Sequence, residues 1–136
     1  MSKSNTTETD LLQKIFNNTA LSWDAITNIY VALHSADPGE TGVQNTSEIS
    51  YTGYARVAVA RTSGGFTVSG NTASNTAVVT FGACTGGTAT ATHFSVGTAS
   101  SSTGQILYSG ALTASLSISS GITPQFAIGA MTITED

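Results

Sequence analysis

Charge is what this chain lacks most. Between Thr62 and Thr134, more than half of its 136 residues, there is no Asp, Glu, Lys or Arg. Acid/base catalysis, hard-cation binding and phosphate binding draw on carboxylates, ammonium and guanidinium groups, so that stretch is poorly equipped for any of them. Only 9% of residues are charged, against roughly 25% in an ordinary soluble domain. Hydroxyls and glycines therefore take over the surface, and copies of such a chain repel one another weakly. The four basic residues, Lys3, Lys14, Arg56 and Arg61, are too few and too scattered for a nucleic-acid or membrane patch.

Cysteine is nearly absent as well. Cys84 stands alone, which excludes an intrachain disulfide and a multi-thiolate zinc site and leaves a small buried hydrophobe. No apolar run approaches the roughly 20 residues of a membrane helix, and the polar start Met1-Ser2-Lys3-Ser4-Asn5 has no secretory core, so the product is expected to fold in the cytoplasm of its host. Asn-x-Thr/Ser triplets occur three times, as chance allows in a chain rich in these residues.

What is present is β-branched alternation. One helix is expected over residues 8–16, with Thr7 as N-cap, Glu8 favourable to the helix dipole, and Leu11, Leu12, Ile15 and Phe16 on one stripe. Ile29 to His34 and Tyr54 to Arg61 read as strands, and Asp37-Pro38-Gly39 as a turn leading into a polar, exposed loop past Glu48. Six further runs follow: Phe66 to Val68, Ala77 to Phe81, Thr92 to Val96, Gln105 to Leu112, Ser115 to Ile118, and Gln125 to Thr134. About eight antiparallel strands with one apolar side each imply a mainly β chain, a jelly-roll-like β-sandwich with one short N-terminal helix. Residues 1–7 read as a flexible arm and residues 8–136 as a single domain.

Candidate chemistry is thin. His34, His93 and Cys84 allow a hydrolase arrangement by count, but no G-x-S-x-G elbow is present and the acids lie in loops and termini. No H-x-x-x-H, C-x-x-C or D-x-D-x-D-G pattern supports a metal, and Gly82 to Gly87 lacks the lysine of a phosphate loop. The expectation is no catalytic residue, no metal and no cofactor. The aromatics Trp23, Tyr30, Tyr51, Tyr54 and Tyr108 suit a core better than a sugar-stacking surface. Arg56 has two readings: a surface guanidinium covering apolar area with its stem, or a bidentate anchor for a carboxylate such as Glu48 or a partner's acid.

Ile29-Tyr30-Val31-Ala32-Leu33-His34-Ser35-Ala36-Asp37-Pro38, then Tyr51-Thr52-Gly53-Tyr54-Ala55-Arg56-Val57-Ala58-Val59, then Phe126-Ala127-Ile128-Gly129-Ala130-Met131-Thr132-Ile133, occur in that order. This order resembles a family of small tailed-phage virion proteins that are labelled tail-fibre-like or head-decoration proteins. The resemblance implies a non-enzymatic structural protein present in many copies on the virion. With no shaft-forming coiled coil and a neutral surface, the preferred expectation is a cement protein on the capsid surface, binding the major capsid protein and copies of itself. The alternative is a tail-fibre or tail-tip domain that recognises a host surface receptor through the loops Glu40 to Ser50 and Ala99 to Gly104, with exposed aromatics. Candidate interface residues are Thr6 and Thr7 in the arm, Glu40, Gln44 and Glu48 in the first loop, and Arg56.

Overall fold

The computed structural model describes residues 2–136. Strand β1 (Asn28–His34) is the spine of the largest sheet, because its run of Ile, Tyr, Val, Ala and Leu suits burial on both faces. It pairs antiparallel with β2 (Val57–Ala60) through Ile29↔Val59 and with β6 (Ala89–Gly97) through Val31↔Val96 and Leu33↔Phe94. The 13-residue β7 (Ile106–Ile118) completes the order β2-β1-β6-β7. Its register on β6 jumps between Ala91↔Leu116 and His93↔Ala111, so that Leu112 to Ser115 stand opposite Thr92 alone. That wide bulge joins the two runs the sequence suggested as separate strands, Gln105 to Leu112 and Ser115 to Ile118.

A second sheet has the order β3 (Phe66–Ser69), β4 (Thr72–Asn75), β9 (Thr132–Thr134), and a third pairs β5 (Val79–Thr80) with β8 (Gln125–Phe126). All pairings are antiparallel, and the sheets pack together without closing into a barrel. The mainly β class with one N-terminal helix matches the expectation. The detail differs: among the described residues nine strands divide into sheets of four, three and two, rather than about eight in the two facing sheets of a jelly roll.

Between the sheets lies one continuous core, with Val31 and Leu33 from β1, Phe94 and Val96 from β6, Val79 and Ile133 from the smaller sheets, and Phe81 and Met131 just beyond the strand ends. Each of these large side chains contributes about 1.5–3 kcal/mol on burial. Tyr51, Tyr54, Phe81, Phe126 and Phe94 form a chain of ring contacts with centroids 5.4–6.4 Å apart. The fully buried Asn75 links the two small sheets: its Nδ2 donates to the carbonyls of Ala77 and Ala127, and its Oδ1 accepts from the Met131 amide. One side chain thus satisfies backbone groups that such short strands cannot pair by themselves.

Helix α1 spans Asn5–Asn17, three residues earlier at its start than the sequence suggested. Ser4, not Thr7, is the N-cap; it accepts from the Thr7 amide, and Glu8 keeps its place in the first turn. Asn18, in the left-handed region at φ 52°, ends the helix. Residues 2–7, expected as a loose arm, are tied to the body. Ser2 exchanges backbone hydrogen bonds with Ser109 on β7, and the hydroxyls of Ser4 and Thr7 both donate to the Ile106 carbonyl. Met1, also assigned to that arm, lies outside the described residues.

Candidate functional site

Two loops of opposite halves of the chain meet at one end of the four-stranded sheet. The first, residues 35–50, leaves β1 through Asp37-Pro38-Gly39, where Asp37 Oδ1 accepts from the Gly39 amide and Gly39 takes φ 72°. The second, residues 98–105, is the turn between β6 and β7. Arg56, just ahead of β2, holds them together. Its Nε and one Nη donate to both carboxylate oxygens of Glu48 at 2.8 and 2.7 Å, and its two Nη atoms also donate to the carbonyls of Ala99 and Ser102 at 2.9 and 2.6 Å. The planar guanidinium suits this task, because it can serve a carboxylate bidentately and still reach two carbonyls.

The carboxylate is fully served too. Tyr54 Oη donates to Glu48 Oε1 at 2.8 Å while accepting from the Leu33 amide. Burial pushes the Tyr54 phenol well above its ordinary range, with the Glu48 carboxylate pushing the same way, so it remains a donor. Gln44, with no exposed surface, adds a second brace: Nε2 donates to the Tyr30 carbonyl, Oε1 accepts from the Ala99 amide, and its own amide donates to Gly104. Outside these braces the paired loops present Glu40, Thr41, Asn45 and Ser47 beside Ser100, Ser101, Ser102 and Thr103, all exposed. The outcome is a fixed platform of hydroxyl, amide and carboxylate groups with no exposed aromatic ring, able to hydrogen-bond a polar surface.

The model of the Podophage GP4 fiber I protein gp80 family matches residues 2–134. The chain belongs to that family. It is therefore a phage virion structural protein. No individual curated protein matches it.

In this gp80-family chain the residues singled out from the sequence divide by burial. Thr6 and Glu40 are exposed, whereas Thr7, Gln44 and Arg56 are turned inward and Glu48 is mostly covered by Arg56 and Tyr54. Of Arg56's two readings, the geometry fits the carboxylate anchor, with Glu48 of the same chain as the acid. Tyr51 is buried and Tyr54 largely so, which runs against the exposed aromatics that the host-recognition alternative called for. Neither imidazole has Cys84 among its hydrogen-bond partners; the Cys84 thiol points at the carbonyls of Gly86 and Gly87. Among the described residues no three His, Cys, Asp or Glu side chains cluster as a metal site, and no helix is long and apolar enough to cross a membrane.

No local pattern brings His34 and Ser95 together; their meeting follows from the strand register. Ser95 pairs with Ala32, so it lies diagonally across β1 and β6 from His34 on the same face, with His34 Nε2 2.8 Å from Ser95 Oγ and Nδ1 2.8 Å from the Thr46 carbonyl. A carbonyl can only accept, so Nδ1 carries the proton and Nε2 accepts from the serine hydroxyl. Both side chains have no exposed surface, so the pair does not meet a substrate and instead ties the first loop to the sheet. Burial, the largest influence, pulls the His34 pKa below its ordinary value near 6.5. The folded state therefore binds fewer protons than the unfolded state below that value, and stability falls with acid. Unfolding by urea at a series of pH values should show full stability above about pH 6.5 and a decline below it. His34→Gln should remove the part of that decline lying near pH 6; a decline there identical to the parent's would sink the assignment.

Proposed function

We propose that this chain is a non-enzymatic building unit of the tail fibre, and that the paired-loop platform is its polar contact surface toward the host. The observation that carries the first part is membership of a fibre family over residues 2–134, which favours a fibre over the capsid cement first preferred. The neutral surface that suggested cement serves a fibre subunit equally, since both need close packing of like copies with little charge repulsion. The second part is supported by rigidity: loops braced by Arg56, Glu48 and Gln44 present their exposed groups without the ordering cost of free loops. The partners in this reading are other fibre and virion proteins, further copies of the chain, and a host surface receptor. The major capsid protein belongs to the displaced cement reading.

Immunogold labelling of intact virions tests location; gold at the tail supports the fibre, and gold spread over the head returns the chain to cement. Recognition is tested separately. Asn45→Arg and Ser101→Arg place bulk on the exposed rim without touching the braces, and each should lower the rate of virion adsorption to host cells by about tenfold, the equivalent of about 1.4 kcal/mol. Adsorption at the parent rate, with normal fibre incorporation, would move recognition off this platform.

A further inference from the structure

Helix α1 is held to the body by its polar side. Thr7, its one buried residue, bonds to the Ile106 carbonyl, and Gln105 Nε2 donates to both Thr7 Oγ1 and Asp10 Oδ2. The apolar stripe faces away: Leu12, Ile15 and Phe16 are 57, 69 and 76% exposed. A helix of 13 residues is marginal in water by itself, and an amphipathic helix ordinarily turns its apolar face to a core. These three side chains expose on the order of 300–400 Å² of apolar surface, comparable to the largest patch on an ordinary monomer.

Beside the helix runs a groove of about 770 Å³ between α1 and the three-stranded sheet, with Leu11, Trp23, Ile29, Phe66, Val68 and Ile133 in its walls. Arg61 stands at its wall. Its guanidinium donates only to the carbonyls of Trp23, Asp24 and Ile26 and lies 5.4 Å from the Trp23 ring, with no carboxylate partner among the described residues. Glu8 is exposed, also unpaired, and at positions 8, 12, 15 and 16 shares one helix face with the apolar stripe.

We propose that this face joins copies of the chain, the Leu12, Ile15 and Phe16 stripe of one copy seating in the groove of a second, with Glu8 brought toward Arg61. The occupant is a second copy for three reasons. Stripe and groove lie side by side, so one surface carries both halves of the contact. The unpaired charges are opposite and sit one on each half. The stripe alone falls short of the roughly 800 Å² that each partner gives to a stable interface, and a copy that fills the groove while offering its own stripe adds the missing area. The inference deepens the reading of the chain as a multi-copy fibre unit, and it is tested on purified protein, so its failure is separable from failure of the tail location.

Sedimentation velocity of the purified chain over a micromolar concentration series is the first measurement, and reversible self-association is the expected result. Ile15→Ser with Phe16→Ser should raise the dissociation constant by tenfold or more, with the thermal transition of the β-body followed by circular dichroism unchanged. Val68→Arg, which blocks the groove and leaves α1 intact, should weaken association as much. Glu8→Arg should weaken it and Glu8→Arg with Arg61→Glu should regain it. A parent chain that sediments as a monomer throughout overturns the proposal, as does association that survives the Ile15/Phe16 or Val68 change, or a charge reversal that regains nothing.

Discussion

Replacing Arg56 by alanine is expected to cost about 3–5 kcal/mol of stability, the usual result of removing one partner from a buried ion pair. Three groups would be affected at once: the Glu48 carboxylate would keep only its bond from Tyr54, and the carbonyls of Ala99 and Ser102 would lose the Arg56 donor. Glu48 retains 15% side-chain exposure, so water can relieve part of its loss and the lower half of the range is the better expectation. For a chain of this size the melting temperature should drop by roughly 10–15 °C. Two features make the prediction specific. Glu48→Gln should cost less than Arg56→Ala, since the amide oxygen still accepts from Tyr54 or Arg56. Arg56→Met with Glu48→Met should recover much of the loss, because an ion pair exchanged for apolar side chains of similar volume is often neutral. Urea unfolding of the four proteins reads all of this. A loss below about 1 kcal/mol for Arg56→Ala would mean the pair behaves as a surface salt bridge and that the two loops are held by something else.

Gly104→Ala is expected to cost about 2–4 kcal/mol, although one methyl group is the whole change. Gly104 is not among the residues with positive φ, so the backbone itself would accept alanine. The obstacle is Gln44: a Cβ at position 104 would fall well inside contact distance of the Gln44 Oε1 and against Ala99 Cβ. Gln44 cannot step aside without releasing the Tyr30 carbonyl and the Ala99 amide, both of which it bonds. Removing it by Gln44→Ala should itself cost about 2–3 kcal/mol through those unmet groups and the space left behind. The double variant then separates the causes. If the clash is the origin of the Gly104→Ala cost, Gln44→Ala with Gly104→Ala should be more stable than the sum of the two losses by at least about 1 kcal/mol. Strict additivity would show that the two residues do not compete for the same space.

These two predictions rest on residues whose burial the sequence did not announce. Gln44 and Glu48 lie in a stretch of Thr, Gly, Asn and Ser that reads as exposed loop by every local criterion, and Glu40, Thr41, Asn45 and Ser47 in it are indeed exposed. What buries Gln44 is Ala99, 55 positions away, together with Gly104; what covers Glu48 is Arg56 and Tyr54 on the far side of the loop, and no pattern within the loop encodes either partner. The strands were legible where alternation of large apolar residues was strong, as in Ile29 to His34, Phe66 to Val68 and Thr92 to Val96. β4 was not, because Thr-Ala-Ser-Asn carries no large apolar residue; it is a strand through pairing with β3 and β9 on either side. The same limit applied to α1. Its stripe was plain in the spacing of Leu11, Leu12, Ile15 and Phe16, but spacing says which residues share a face, not what lies opposite. Thr7 shows the cost of a local rule: it satisfies the preferences of an N-cap, yet the helix already begins at Asn5, and Ser4, whose extended backbone precedes it, accepts from the Thr7 amide.

Every strand from β3 to β9 lies within the segment that carries no charged side chain. Dissolved salt acts on exposed charges over a screening length that shrinks from about 30 Å at 0.01 M to about 8 Å at 0.15 M, and across most of this surface it finds nothing to screen. Arg56 and Glu48 are shielded from it by burial. The body of the molecule should therefore keep the same stability in dilute water and in brine, and what ionic strength does alter should be confined to the charged ends of the chain, α1 with Glu8 and Lys14 among them.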